Sequence, residues 1–433
     1  MHLSNFNHLW HQKTKYESRT DETILQSDSS QLWTRNFVLI ALINLLVSAT
    51  GKMLDGSFSF YVIELGGDNF VVGLTAGLCA ICSLIMRPIA GWVLDNISRK
   101  LIFFIAVIGL IIIPFFYMVF PILGMTILLR CMSGICWSTA STSSNTNACD
   151  IIPRKRFGEG MGFFGLTNSL ATAIAPALGL LIMEKCGFNI LFISCAAVAI
   201  VVLLLLTRLK FSPLPTKKKI DSNRSIFSKI LHLFNKDAIP AAIFIFLAAV
   251  PSGAIYSFIA LYASIEGLGS GGLFFTLQAI FTGVSRIFAG KIADTKGEGP
   301  MVYMSVVCFA INIILLVFGK TQLLFCISAC LMGLGLGLCI PAMQTMAVRI
   351  VPPERRGSAS STFLCSWDVA WAIGGILGGI LVESAGYRAM FGILGVFEIL
   401  ALLYYVIWGR KSPSAFKVYQ AAQQKKLNAG GQF

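Results

Sequence analysis

Charge is what this sequence has little of. Only 12% of its 433 residues are Asp, Glu, Lys or Arg, while 56% are hydrophobic; a soluble chain carries about a quarter charged residues. That shortage excludes an ordinary water-soluble domain. Stretches such as LIFFIAVIGLIIIPFFYMVFP (101–121) and AVAIVVLLLL (197–206) exceed the needs of a soluble core and fit a bilayer crossing. Histidine is scarcer still: His2, His8, His11 and His232 are the four in the chain, and all lie outside the apolar runs. Any proton carrier inside the membrane is therefore a carboxylate. The pair His8 and His11 reads as part of a polar tail rather than a metal site. Twelve cysteines are scattered through the apolar runs, and Cys79 with Cys82 forms a CxxC with no histidine near it. Packing is the expected role there, not redox or metal chemistry. The GKT at 319–321 lacks the upstream glycine of a phosphate loop. No catalytic triad, metal set or cofactor motif is present, so no enzyme, metal or cofactor is expected. Residues 1–33 are polar with no apolar core, and a cleavable signal peptide is not expected.

What is present is a series of apolar helical runs. Twelve spans are predicted, roughly 34–63, 70–90, 101–121, 123–143, 159–183, 188–207, 238–262, 272–292, 301–319, 321–342, 358–382 and 388–409. The net charge of +14 is distributed by side. With both termini on one side, that side collects Arg99, Lys100, Arg154, Lys155, Arg156, Lys217 to Lys219, Arg355 and Arg356; the opposite loops hold only Lys185, Lys320 and Arg388. The asymmetry predicts cytoplasmic termini. It also accounts for the basic balance without a nucleic-acid partner.

The chain repeats itself. RPIAGWVLD (87–95) and RIFAGKIAD (286–294) share Arg, Ala, Gly and Asp at one spacing, 199 residues apart. The same offset pairs Pro153 with Pro352, Arg156 with Arg355, Gly158 with Gly357, Gly179 with Gly378, Glu184 with Glu383 and Gly187 with Gly386. Six crossings return a chain to its starting side, so the repeat predicts two parallel six-helix halves. The expected organisation is a cytoplasmic tail (1–33), a first half (34–207), a cytoplasmic linker rich in Lys and Arg (208–237), a second half (238–409) and a second tail (410–433).

GWVLDNISRK (91–100) resembles the loop between helices 2 and 3 of the major facilitator superfamily. Gly91, Asp95, Arg99 and Lys100 match, with Ser98 where the family usually has glycine. The second copy keeps Gly290 and Asp294 but has Glu298 and Gly299 in place of the basic pair. RCMSG (130–134) resembles the family's helix 4 motif at Arg130 and Gly134, and APALG (175–179) is a partial match, at Pro176 and Gly179, to the helix 5 signature of drug–proton antiporters. The resemblance implies an all-α polytopic membrane protein with twelve transmembrane helices in two parallel six-helix repeats. It also implies helices 3, 6, 9 and 12 at the periphery, and a proton-coupling role for Arg130. In many relatives helix 1 has prolines near residues 56 and 59; here Gly56 and Ser59 stand there.

Helical spacing selects cavity faces. Asn44, Ser48, Lys52, Asp55 and Ser59 form one stripe on the first span; Arg130, Gly134, Ser138, Ser141 and Asn145 form another on the fourth. Gly165, Ser169, Thr172, Pro176 and Gly179 do so on the fifth, and Ser358, Ser361, Cys365, Asp368, Ala372 and Gly375 on the eleventh. The run STASTSSNTN (138–147) fits cavity lining and helix–helix hydrogen bonding equally well. A substrate cavity is expected around Asn44, Lys52, Asp55, Trp137, Ser141, Asn145, Thr172, Gln278, Trp367 and Trp371. Ionisable groups inside a span cost roughly 2.5–3.5 kcal/mol each and are functional candidates by default. Asp55, Arg130 and Asp368 are expected to couple protons; the aromatic setting of Asp368, between Trp367 and Trp371, suits reversible protonation. Arg87 and Arg286 read as snorkelling or capping groups near the membrane face. Gly91 and Gly290 are expected to let helix ends approach closely, and Asp95, Arg99 and Lys100, with Asp294, to form a latch in which Asp95 pairs locally with the basic residues or caps a neighbouring helix N-terminus. Pro176 and Gly179 are expected to pack helices. Glu398 has no account at this level.

The expected function is a proton-coupled secondary transporter working by alternating access, monomeric in the lipid bilayer, that exports a small amphiphilic or anionic organic compound. Import of a polar metabolite by proton symport stays open, and so, less favoured, does a non-transporting sensor on the same fold.

Overall fold

Three side chains start helices where the chain enters its apolar runs. Thr34 Oγ1 accepts from Phe37 N at 3.2 Å, Asp68 Oδ1 from Val71 N at 2.8 Å, and Ser98 Oγ from Leu101 N at 3.2 Å. Each satisfies an N–H that the helix cannot, worth ~1 kcal/mol. The computed structural model describes residues 31–153, 156–211, 238–349 and 356–408. Eleven helical elements fill them: α1 (Arg35–Asp55), α2 (Phe58–Glu64), α3 (Asn69–Asn96), α4 (Arg99–Val119), α5 (Leu123–Ile151), α6 (Phe157–Arg208), α7 (Ile239–Ile265), α8 (Gly271–Lys296), α9 (Gly299–Phe318), α10 (Gln322–Arg349) and α11 (Arg356–Trp408). Among the described residues ten segments are long and apolar enough to cross a membrane. The tails, most of the linker, Arg154, Lys155, Pro352 and Arg355 lie outside the described residues.

Two elements are too long for one crossing. The 52 residues of α6 would reach about 78 Å as a straight helix, against an apolar bilayer core of about 30 Å. Each of the two is in fact a pair of helices meeting at a glycine: Gly187 in α6, with φ 79° and ψ 175°, and Gly386 in α11, with φ 82° and ψ 170°. Only glycine adopts this backbone readily. The two breaks sit at partner positions of the 199-residue offset.

The run expected as one helix over 34–63 is interrupted. The backbone stays helical in φ and ψ at Gly56 and Ser57, but the hydrogen-bond ladder loosens between α1 and α2. A Cβ on Gly56 would come 3.0 Å from Phe275 and 3.2 Å from Leu180, so α8 and α6 press close at this point. Gly179 has a related role: a Cβ there would run into the backbone of Met53, and α6 lies against α1 because it has none. Pro176 is buried one turn earlier in the same helix.

The apolar surface and the interior separate by helix. On α4, Ile105, Ile112 and Phe116 are exposed while Phe103, Val107 and Leu110 are buried, an outer and an inner face. α7 is buried on nearly every side. At one end of the bundle the first and second halves of the chain are clamped together. Gly73 of α3 meets Gly375 and Gly379 of α11 backbone to backbone. Tyr387 Oη donates to Asn69 Oδ1 at 2.9 Å, Asn69 Nδ2 donates to Glu383 at 3.5 Å, and Ser270 Oγ donates to Glu184 at 3.1 Å.

Alanine at Gly187 or Gly386 is expected to lower the unfolding free energy by ~1–3 kcal/mol, because neither position tolerates a Cβ without backbone strain. Thermal unfolding of the purified variants in detergent measures this; an unchanged midpoint would show that the breaks do not depend on glycine.

Candidate functional site

Opposite the clamped end, the helices part around one large cavity of about 1820 Å³. It is lined from α1, α3, α5, the first part of α6, α7, α8, α10 and the first part of α11, and it reaches Trp92, Asn145, Ile239, Glu298 and Thr345 at the open end, where Met301 brings in the start of α9, a helix expected at the periphery. No residue of α4 or of the second parts of α6 and α11 lines it.

At the closed end Asp55 is held by two cations. Lys52 Nζ donates to Asp55 Oδ2 at 2.8 Å, one helical turn away on α1. Arg130 Nη2, from α5, donates to Asp55 Oδ1 at 3.0 Å. Arg130 also stacks 4.4 Å from the Phe58 ring centroid, and Lys52 Nζ lies 4.4 Å from the ring of Trp371. Such cation–π contacts partly replace lost hydration. Tyr256, from α7, completes the wall: its ring is 4.8 Å from Trp371, and its hydroxyl accepts from Gln278 Nε2 of α8.

Nearer the open end lies a second ion pair. Arg87 Nε donates to Asp368 Oδ2 at 2.5 Å and Nη2 to Oδ1 at 3.3 Å, a two-pronged contact between α3 and α11. This overturns two expectations. Arg87 does not snorkel to the membrane face, and Asp368 does not sit in a purely aromatic setting. The reason is that a buried charge is costly alone, and each supplies the other's partner across the two halves of the chain. The ring of Trp137 lies 5.8 Å from the Arg87 guanidinium.

The structure brings all ten expected cavity residues to this one space: Asn44, Lys52, Asp55, Trp137, Ser141, Asn145, Thr172, Gln278, Trp367 and Trp371. Asn44 also donates to Thr167 of α6 at 2.9 Å. Ser48 and Ser59, from the same predicted stripe, do not line it and are buried in packing. The run 138–147 divides by face. Ser141, Thr142 and Asn145 face the cavity, whereas Ser138 donates to the Ser83 carbonyl of α3 at 2.8 Å. Tyr256 had no sequence signal, since an aromatic residue within an apolar helix looks like any other core residue. Arg286 and Glu298 also line the cavity. Glu398 is 2% exposed in the second part of α11, with Oε2 lacking a partner among the described residues.

The expected latch is only partly described: the side chains of Asp95, Gly290 and Asp294 lie outside the described residues. Two of its calls change. Gly91 lines the cavity, and among the described residues nothing lies within 4 Å of where a Cβ would be, so it mediates no close helix contact there. Arg99 forms an ion pair with Asp150, tying the start of α4 to the end of α5. Lys100 is exposed, 5.7 Å from the Phe104 ring.

Replacing Arg87 with Met should destabilise the protein by ~3–5 kcal/mol by stranding Asp368, and adding Asp368→Asn should recover most of that loss. A double-mutant cycle on thermal unfolding reads the coupling; additive losses would mean that the pair is not formed.

Comparison with known proteins agrees with this architecture. A sequence profile of the Major Facilitator Superfamily matches residues 40–318 and 269–429. The chain is 23% identical over 381 residues to the staphylopine export protein of Staphylococcus aureus, covering 85% of this chain and 94% of that protein. It is 22% identical over 395 residues to the multidrug resistance protein MdtG of Escherichia fergusonii, covering 88% and 95%. In fold it resembles a crystal structure of a mutant of the nucleoside transporter NupG, with a TM-score of 0.72 at 16% identity, over 86% of this chain and 100% of that one. It also resembles a bacterial homologue of the human lysosomal transporter Spinster, solved facing inward and unoccupied, with a TM-score of 0.67 at 15% identity, over 90% and 99%.

Proposed function

The chain belongs to the major facilitator superfamily, and from that premise we propose that it is a proton-coupled secondary transporter that exports a small amphiphilic or anionic organic compound by alternating access. The observation that carries this reading is the Arg87–Asp368 pair, which joins the two halves of the chain inside the cavity. The ten spans, with the breaks at Gly187 and Gly386, support twelve crossings in two six-helix repeats. With cytoplasmic termini, the open end faces the cytoplasm, and the cavity is poised to load cargo from inside. Protonating Asp368 removes the partner of Arg87 and loosens the tie between the halves; releasing the proton restores it. Export is supported by a relative whose name marks it as an exporter, the staphylopine export protein.

A second reading, import by proton symport, is favoured by Asp55. Its single carboxylate pairs with both Lys52 and Arg130, so protonating it leaves two cations with no counter-ion and open to an anion. A proton and an anion would then bind together, which is the linkage of symport.

Everted membrane vesicles with an imposed pH gradient separate the two. Amphiphilic organic anions should accumulate in acid-inside vesicles, and Asp368→Asn should abolish the gradient-driven part while the protein stays folded. Accumulation only when protons and compound flow in the same direction would sink export in favour of symport. Normal pumping by Asp368→Asn would remove that residue as the proton carrier.

A further inference from the structure

The cluster at the closed end has a cation left over. Two basic groups share the one carboxylate of Asp55, each on a different oxygen. Arg130 is committed to its place, with a side chain only 7% exposed and its guanidinium against Phe58. Lys52 is the reachable one. Its ammonium has three N–H donors, and Asp55 takes one of them. It lies against Trp371 at 4.4 Å and Tyr256 at 5.9 Å, both from the second half of the chain.

Unpartnered buried polar atoms line the same cavity. The indole N–H groups of Trp371 and Trp137 have no hydrogen-bond acceptor among the described residues. Indole nitrogen is a donor only, so each calls for an acceptor. Gln278 uses one end of its amide on the Tyr256 hydroxyl; whichever way the amide is turned, the other end is left over. Leaving buried donors unmet is costly. The surfaces between these groups are aromatic: Trp367 and Trp371 lie 5.9 Å apart, and Trp371 and Tyr256 4.8 Å.

We propose that this end of the cavity is a binding site for a flat aromatic carboxylate. The carboxylate pairs with the Lys52 ammonium and accepts from an indole N–H, while the ring lies along the wall of Trp371 and Tyr256. A cationic ligand would meet Lys52 beside the already doubly paired Asp55, while Asp368, elsewhere in the cavity, is taken by Arg87. A neutral ligand would leave the extra charge uncompensated. Because Lys52 comes from the first half of the chain and the aromatic wall from the second, the ligand touches both. The inference rests on the transport reading only in calling this ligand cargo; the binding itself does not require transport.

Isothermal titration calorimetry on the purified full-length chain in detergent tests it with four probes: naphthoate, naphthamide, naphthylmethylammonium and cyclohexanecarboxylate. Naphthoate should bind at least about tenfold more tightly than the amide and the non-aromatic acid, a gap of about 1.4 kcal/mol, and the ammonium probe should give no binding heat. Lys52→Gln should reduce naphthoate to the level of the amide, and Lys52→Arg should retain most of the preference. Equal affinity for acid, amide and ammonium, or no binding of naphthoate, overturns the proposal on the unmodified protein, even if Lys52→Gln fails to elute as a single species. A charge preference that survives Lys52→Gln overturns the role of Lys52. Intact naphthoate preference without proton-driven transport in vesicles would count against the transport reading alone.

Discussion

Asp55 accepting from Lys52 on one oxygen and from Arg130 on the other is the interaction around which the closed end of the protein is organised. An ionised group within a bilayer-spanning helix is tolerated only when paired or hydrated. Lys52 and Asp55 pair within one turn of α1, but a second cation on α5 can join them only if α1 and α5 are held in register. Close packing supplies that constraint: a Cβ on Gly51 of α1 would come 2.8 Å from the Trp137 ring of α5. Gly179 lets α6 reach the backbone of α1 at Met53, and Gly56 sits against Leu180 and Phe275 immediately beyond the carboxylate. The charged cluster and the helix contacts therefore depend on each other.

The ties between the two halves are of two kinds. At the closed end they are neutral or singly charged hydrogen bonds at 2.9–3.5 Å, together with bare backbone contacts between glycines on α3 and α11. Net contributions of about 1 kcal/mol per bond are easily broken and remade. Inside the cavity the tie is the charged, two-pronged Arg87–Asp368 contact. Its strength depends on the charge of both partners, unlike that of the neutral bonds at the closed end.

Much of the cavity was legible in one dimension, because helical period brings residues three and four apart to one face. Asn44, Lys52 and Asp55 on the first span, and Ser141 and Asn145 on the fourth, follow from that rule, and all five line the cavity. The rule failed where a residue's partner lies on another helix. Arg87 looked like a membrane-face arginine until α11 brought Asp368, 281 positions later, into contact with it. Arg99 looked local to its loop, yet its partner is Asp150 at the far end of the next helix. Tyr256 carried no signal at all, because burial beside a cation and burial in lipid-like packing have the same sequence pattern.

By itself the sequence determined that this is a multi-pass membrane protein and where its apolar helical runs lie. Those properties follow from local terms: apolar length against bilayer thickness, and helical period. That Gly187 and Gly386 are the points at which two long elements break is a property of the folded backbone. Tertiary structure alone decided which charges neutralise one another, and that Lys52 faces the rings of Trp371 and Tyr256. The physical reason is range. Pairing and burial depend on distances across space between helices hundreds of residues apart, and no local pattern encodes them.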